Sequence, residues 1–186
     1  TELAPFMLAA IRFIVSGCLI FIIAIISGRS IAITKKQAVN TAIAGFLFLS
    51  FGNGVVVWAL RYVDTSFAAL EISSQPLIVL LLMRIFQGKK ISPMSLLGVF
   101  LGFIGIYLLV SQKSILNQEN SVLGMVMIFF CMVSWASASL FVGKADLPKN
   151  FFVNTGYQMI FGGTILALAS IAIGEQWSNP INWSVK

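Results

Sequence analysis

The sequence predicts an all-α membrane protein, a polytopic bundle of about six transmembrane helices. Hydrophobic residues make up 59% of its 186 residues and charged residues only 10%, whereas a soluble domain has roughly 25% charged residues. The apolar runs are about 20 residues long, the length an α-helix needs to cross a hydrocarbon core of about 30 Å. None of these runs shows the strict alternation of a barrel strand. Lipid is therefore the expected solvent for most of the surface.

Six runs have this length, and a polar segment follows each of them. The runs cover residues 4–27, 39–60, 65–86, 93–111, 122–143 and 151–173. In the same order, the segments that follow are GRSIAITKKQ, RYVD, QGKKIS, SQKSILNQENS, GKADLPKN and GEQWSNPINWSVK. Their Gly, Ser, Asn, Lys and Pro residues are typical of loops.

The basic residues predict the orientation of the bundle. One set of alternate loops holds eight of them: Arg29, Lys35, Lys36, Arg84, Lys89, Lys90, Lys144 and Lys149. The opposite set holds three: Arg61, Lys113 and Lys186. The first set is therefore expected in the cytoplasm, with both ends of this chain outside. Because the basic residues lie in short clusters between apolar runs, the net charge of +6 indicates a membrane surface and no nucleic-acid partner.

Cysteine and histidine usage gives no sign of a bound metal. Cys18 and Cys131 lie within apolar runs, and the sequence has no histidine and no CxxC pair. We therefore predict no metal site, no disulfide and no cofactor, and we expect both cysteines to behave as small apolar residues.

The first and sixth runs match each other at an offset of 146 residues. The matched pairs are Phe6 with Phe152, Arg12 with Gln158, Ile14 with Ile160, Gly17 with Gly163 and Gly28 with Gly174. Because five spans separate the two copies, they cross the membrane in opposite directions. That is an inverted repeat, a recurring plan of secondary transporters.

Several segments, in the same order and spacing, resemble the EamA group of the drug/metabolite transporter superfamily, and within it the YedA-like exporters. APFMLAAIRFIVSG resembles its second helix, FGNGVVVWALRYVDTSFAALEISSQPLIVLLL its third and fourth, and SPMSLLGVFLGFIGIYLL its glycine-rich fifth. SVLGMVMIFFCMVSWASASLFVGK resembles the opening of the second repeat, with its pair Trp135 and Ala136.

The resemblance implies ten helices in two inverted five-helix repeats. Residues 1–115 would then be the first repeat without its first helix, and residues 116–186 the start of the second without its last three. The chain starts at Thr1 without Met, which agrees with sequence missing before it. The implied function is export of small metabolites, amino acids or drug-like solutes by alternating access. The implied setting is a multi-pass protein of the bacterial cell membrane, with a small-molecule solute and the lipid bilayer as partners and a monomer or homodimer as the assembly.

Two charged residues lie inside predicted spans, where each charge is costly. Arg12 lies eight residues into the first span and Glu71 seven residues after Asp64, so both are expected roughly 10–12 Å deep from the outer side. We hypothesise that they form an ion pair facing the bundle interior. The pair could be a structural clasp, or Glu71 could be a site for a substrate or a proton. Glu71 departs from the resembled pattern, in which apolar or small residues are usual, and this leaves the substrate class open.

Other polar residues at helical spacing are candidates to line a solute cavity. Glu71, Ser74 and Gln75 share one helix face, and Pro76 should bend or open that helix because it removes a backbone donor. The further candidates are Asn53, Trp135, Asn154 and Gln158. For each, the alternative is an ordinary hydrogen bond between helices. Gly98, Gly102 and Gly105 are expected to form a helix-packing face.

Three other functional classes compete with a transporter. A non-transporting scaffold or assembly subunit would be a dry, fully packed bundle. An intramembrane enzyme would require histidine or paired carboxylates within the spans, and the sequence has neither. A pore-type channel would require a ring of charges or a filter loop. The predicted protein is therefore not an enzyme.

Overall fold

The computed structural model describes residues 4–88, 92–110 and 121–175, and within these ranges all regular structure is helical. We number six helices in chain order. They are α1 Pro5–Ile26, α2 Lys35–Ala59, α3 Thr65–Gln87, α4 Pro93–Val110, α5 Ser121–Val142 and α6 Phe151–Ala172. Within the described residues, five of them are long and apolar enough to cross a membrane: α1, α2, α3, α5 and α6. The predicted all-α polytopic bundle is confirmed.

Helix α2 begins earlier than its hydropathy predicts. Thr34 and Gln37 form a capping box, in which the Thr34 hydroxyl accepts from the Gln37 N–H and the Gln37 side chain accepts from the Thr34 N–H, both at 3.2 Å. This reciprocal pair satisfies donors that the first helical turn leaves free. The helix therefore starts at Lys35 rather than near residue 39.

The middle of α2 has a wider helical winding that the sequence pattern did not predict. Residues Phe46–Asn53 form a π-helix between the α-helical segments Lys35–Gly45 and Gly54–Ala59. Such segments are rare inside α-helices and are frequent at functional sites. A hydrophobic run of this length fits an α-helix and a π-helix equally well. The sequence pattern could therefore predict a helix here, but not its π-helical segment.

The chain forms two compact units. The first consists of Thr1–Gly54 and Ala145–Lys186, and the second of Val55–Lys144. Helices α1 and α6 and most of α2 therefore belong to the first unit. The last turn of α2, with α3, α4 and α5, belongs to the second.

In the first unit, α1 and α6 are antiparallel and meet at glycines. A Cβ built on Gly163 would lie 2.8 Å from Ile14 and 3.2 Å from the carbonyl oxygen of Ala10. A Cβ built on Gly17 would lie 3.0 Å from Ile160 and 3.2 Å from the carbonyl oxygen of Gly156. The absence of side chains at these positions lets the two backbones approach closely.

These contacts are reciprocal at the offset of 146 residues. Adding 146 to Ala10, Ile14 and Gly17 gives Gly156, Ile160 and Gly163, so each contact maps onto the other. The same offset maps the bounds of α1, Pro5–Ile26, onto those of α6, Phe151–Ala172. The two helices therefore pack about a local pseudo-two-fold axis.

The two helices also end in the same way. Gly28 and Gly174 have φ values of 67° and 73°, a conformation that glycine adopts without strain. After α1, Gly28 N–H donates to Ile25 O and Arg29 N–H to Ala24 O; after α6, the corresponding bonds run from Gly174 to Ile171 and from Glu175 to Ser170. Both are the paired bonds of a Schellman turn, which explains why the two glycines match in the sequence.

In the second unit, α3 and α5 run in the same direction with an apolar core between them. Near their starts, a Cβ on Gly124 would lie 2.8 Å from Val63. Near their ends, Phe86 and Leu140 line one groove. The core residues between these points are Phe67, Ala68, Ile78, Ile128, Met132 and Ala136.

Candidate functional site

The most distinctive local feature of the second unit is a break in the middle of α3. The α-helix Thr65–Ile72 ends at Ser73, and a new α-helix, Gln75–Gln87, begins with Pro76 in its first turn. Proline cannot donate the bond that a continuous helix would need here, and its ring crowds the preceding turn. The helix therefore has two segments within what hydropathy predicts as one span.

Two serine hydroxyls satisfy carbonyl groups at this break. The Ser73 hydroxyl donates to the Leu70 carbonyl and the Ser74 hydroxyl to the Glu71 carbonyl, both at 2.6 Å. In a membrane, serine side chains are a usual way to satisfy backbone groups that a proline frees. The sequence SSQP thus encodes both the break and the groups that make it tolerable.

A cavity of about 380 Å³ lies beside the break. It is lined by Leu70, Ser73, Ser74, Pro76, Leu77, Gly102 and Gly105. Apolar walls with a few placed hydroxyl groups are the usual composition of a small-ligand pocket. Of the predicted cavity residues, Ser74 lines this space directly.

Glu71 and Gln75 lie on the same helix near the break. Both side chains are half-buried, and their Oε2 and Oε1 atoms respectively are buried without a hydrogen-bond partner among the described residues. Buried polar atoms without partners are uncommon in native structures. These two oxygens therefore require an explanation beyond the packing of the second unit.

Helix α5 forms the opposite wall of the core. The Ser74 hydroxyl lies 3.5 Å from the Met132 sulfur. Trp135 is half-buried on the same helix, and its carbonyl accepts from the Ser139 hydroxyl at 2.9 Å. Ser74 thus contacts the wall that also carries Trp135.

The other predicted cavity residues lie in the first unit. The Asn53 amide donates to the Phe48 carbonyl at 3.0 Å, at the end of the π-helical segment. The Gln158 amide donates to Asn154 Oδ1 at 3.1 Å along α6. Each of these bonds joins residues of a single helix. The role of the three side chains in a solute cavity stays a prediction.

The hypothetical ion pair joins residues of different units. The Arg12 side chain is exposed on α1, with its guanidinium carbon 4.9 Å from the centre of the Phe13 ring. Glu71 belongs to the second unit. The Arg12–Glu71 pair therefore stays a prediction.

The three glycines of α4 have different surroundings. A Cβ on Gly102 would overlap the Leu77 side chain, so α4 and α3 meet closely at that position. At Gly98 and Gly105, an added Cβ would meet no described atom within 4 Å. The packing role predicted for these two positions stays a prediction.

Glu175 and Ser50 form long-range hydrogen bonds that the sequence did not predict. The Glu175 carboxylate accepts from the backbone N–H groups of Phe6 and Met7, at 3.2 and 2.9 Å, and from the Ser170 hydroxyl at 2.6 Å. The buried Ser50 hydroxyl donates to the Gly162 carbonyl at 2.9 Å. An acidic residue just after a span is a weak signal, and its two backbone partners lie more than 160 residues away in the chain. Only the fold could identify this cap.

No group of three His, Cys, Asp or Glu side chains within the described ranges could hold a metal ion.

This chain is similar to known proteins, two of which are bacterial proteins with transporter names. It is 29% identical over 173 residues to the uncharacterized inner membrane transporter YedA of Escherichia coli (strain K12), which covers 92% of the chain and 55% of that protein. It is 26% identical over 171 residues to the uncharacterized transporter YyaM of Bacillus subtilis (strain 168), covering 90% of the chain and 56% of that protein. A WAT1-related chloroplastic protein of Arabidopsis thaliana is 25% identical over 170 residues, covering 90% of the chain and 41% of that protein.

The chain thus spans about half the length of the curated relatives it matches. No solved structure matches it. The model of the EamA-like transporter family matches residues 1–111, which is more than half of the sequence. The resemblance predicted from the motifs is confirmed, and the chain belongs to the EamA-like transporter family.

Proposed function

We propose that the protein exports small metabolites, amino acids or drug-like solutes across the cytoplasmic membrane of a bacterium by alternating access. The observation that carries this proposal is membership of a transporter family in a chain whose described part contains five helices long enough to span a membrane. The named bacterial relatives support the setting, since one of them is called an inner membrane transporter. Transport is not an enzymatic reaction, so no catalytic residues are proposed.

The reciprocal packing of α1 and α6 supports a division into two inverted repeats. The helices have equivalent bounds, equivalent C-terminal turns and reciprocal glycine contacts. In this proposal, residues 1–115 belong to the first repeat and residues 116–186 to the second. Alternating access would then be a rearrangement of one repeat against the other.

The cavity beside the break in α3 is the proposed solute-accessible space. It combines a broken helix, two hydroxyl groups and apolar walls. Irregular backbone at membrane depth is tolerated where it is buried in protein or faces a water-filled cavity. A scaffold subunit, in contrast, would have this region dry and closed.

Cysteine accessibility at Ser74 distinguishes the two functions. We would replace Cys18 and Cys131 by alanine, introduce Ser74→Cys, and treat the full-length protein in oriented vesicles with a membrane-impermeant maleimide from either side. Because Ser74 lines the cavity, a transporter should be labelled from both sides, with rates that respond in opposite directions to a transported solute.

Ala136→Cys in the same background is the matched control. Ala136 is fully buried in the core between α3 and α5, so it should stay unlabelled from both sides. If Ser74→Cys were equally unreactive from both sides, the region would be closed and the scaffold function would replace the transporter proposal.

A further inference from the structure

A groove of about 250 Å³ lies between the final turns of α3 and α5 in the second unit. It is lined by two residues of α3, three of α5 and one that follows α5: Phe86, Gln87, Ser137, Leu140, Phe141 and Lys144. The Phe86 side chain is apolar, yet it is 70% exposed. The groove therefore presents an accessible apolar surface beside a basic residue.

The α5 wall of the groove leads along one helix face to Lys144. Its residues share this face because they follow the spacing i, i+3, i+4 and i+7: Ser137, Leu140, Phe141 and Lys144. Helix α5 ends at Val142, and the Lys144 N–H donates to the Phe141 carbonyl at 3.0 Å, which continues the turn. Seven residues of helix rise by about 10 Å, so the groove extends from within the span to a positive charge at its end.

The charged residues at the ends of α3 and α5 are basic. Arg84 lies in the last turn of α3, and the Lys144 side chain is exposed. None of the described residues that line the groove is acidic. The acidic residue nearest to Lys144 in the chain is Asp146, which belongs to the first unit, where its carboxylate accepts from Gln37 Nε2 at 3.4 Å. The groove is therefore complementary to an anion.

The position of the groove in the membrane favours a lipid as the source of that anion. Helices α3 and α5 run in the same direction, and both end in the loops whose basic residues predict the cytoplasmic side. The cytoplasmic leaflet carries anionic lipids, and basic pockets between transmembrane helices on that side bind their headgroups. A lipid at this depth would meet both the apolar walls and the lysine.

A phospholipid matches the two parts of the groove. Its phosphate can accept from the Lys144 ammonium group and the Gln87 amide. One acyl chain can cover the apolar walls, which removes their surface from contact with water near the membrane boundary. A free phosphate ion would leave these walls uncovered, and an apolar protein segment would not pair with the charge.

We propose that this groove binds an anionic phospholipid of the cytoplasmic leaflet. The phosphate would lie at Lys144 and Gln87, and one acyl chain would lie against Phe86, Leu140 and Phe141. Such a site is independent of the solute that the protein moves, and its occupancy can be measured without any transport.

Photolabelling in a defined bilayer tests the proposal. The full-length protein would be placed in phosphatidylcholine nanodiscs with a small fraction of phosphatidylglycerol that carries a diazirine on one acyl chain, and adducts would be mapped by peptide mass spectrometry. We expect adducts on the peptides that contain Phe86 and Phe141. Unlabelled phosphatidylglycerol should compete about fivefold better than added phosphatidylcholine, the factor expected from one lysine near an anionic lipid.

Substitutions then assign the headgroup preference to Lys144. Lys144→Gln should abolish the preference for phosphatidylglycerol, whereas Lys144→Arg, which keeps the charge, should retain it. Phe86→Ala removes an apolar wall and should reduce labelling of these peptides without changing the headgroup preference. Lys149→Gln is the matched control, because Lys149 is an exposed lysine five residues later that belongs to the first unit and does not line the groove. It should leave the preference unchanged.

Several outcomes would overturn the proposal. Equal competition by the two lipids, or an unchanged preference in Lys144→Gln, would exclude a headgroup site at this lysine. Protection of the peptides by inorganic phosphate as effective as that by phosphatidylglycerol would identify a free anion as the ligand. If p-benzoylphenylalanine in place of Phe86 crosslinked to another segment of the same chain instead of to lipid, a protein helix would fill the groove.

Discussion

In the first unit, the carboxylate of Glu175 links the start of α1 to the end of α6. It accepts from the backbone N–H groups of Phe6 and Met7, the second and third residues of α1, and from the Ser170 hydroxyl. The first N–H groups of a helix have no partner within that helix, and the helix dipole favours a negative charge there. Glu175 therefore caps α1 although it lies just past the end of α6.

We predict that two substitutions of Glu175 destabilise the protein to different degrees. Glu175→Ala loses all three hydrogen bonds and the charge, which should lower the free energy of unfolding by about 1–3 kcal/mol. Glu175→Gln keeps one acceptor oxygen and should fall between the wild type and Glu175→Ala. Denaturant unfolding in detergent micelles measures the free energy of unfolding of the wild type and the two variants. Equal stability of all three proteins would contradict the capping role.

For single residues, the sequence predicted local effects on a helix better than it predicted hydrogen-bond partners. Pro76 predicts a disturbed helix because its effect is local, and α3 is broken at that point. Asn154 and Gln158, spaced for one helix face, are hydrogen-bonded to each other. The backbone partners of Glu175 and Ser50 lie far away in the chain, so no local pattern could predict them.

Among the elements, α6 organises the first unit because two helices pack closely on its glycines. Both Gly163 and Gly156 face α1. A Cβ on Gly163 would lie within about 3 Å of Ile14, and a Cβ on Gly156 would lie within about 3 Å of Phe21. Such close approach is typical of glycines at helix contacts. Gly162 faces α2, where a Cβ would lie 2.7 Å from Leu49. The sequence shows these glycines as part of a repeat, but only the packing shows which neighbour each one contacts.

Close packing at these glycines predicts a difference between two alanine substitutions. A Cβ on Gly45 would lie 2.6 Å from the backbone oxygen of Gln158, and backbone cannot move aside as a side chain can. Gly45→Ala should therefore lower the free energy of unfolding by about 1–3 kcal/mol.

Gly98→Ala is the matched control, because an added Cβ there would meet no described atom within 4 Å. Its stability should be unchanged or higher by up to about 1 kcal/mol, since alanine favours a helix more than glycine does. Thermal unfolding of both variants under the same conditions measures the difference. Equal losses of stability in the two variants would contradict the prediction that close packing at Gly45 excludes a side chain.

The helices themselves were predictable, but their internal changes were not. Apolar runs of about 20 residues predict a span regardless of how it is wound, and α1, α5 and α6 agree with the predicted runs to within a few residues. The early start of α2 coincides with a capping box, and its π-helical segment contacts α6 through the Ser50–Gly162 bond. Hydropathy records neither kind of interaction.

For the whole molecule, composition alone indicated a membrane protein, and the motifs indicated the family. Both follow from features that lie close together in the chain. The functional prediction depends instead on which polar side chains meet in space. Glu71, Ser74 and Gln75 flank the break in α3, whereas Arg12, Asn53 and Gln158 belong to the other unit.

Counterflow in proteoliposomes tests most directly the central claim that the protein moves small solutes across a membrane. Vesicles with the full-length protein would be preloaded with an unlabelled solute from a panel of amines, amino acids, other metabolites and drug-like compounds, then diluted into the labelled form. We predict transient accumulation of label above its equilibrium level for at least one member of the panel. If no member of the panel accumulated above the level in protein-free vesicles while the protein was folded, the central claim would be contradicted.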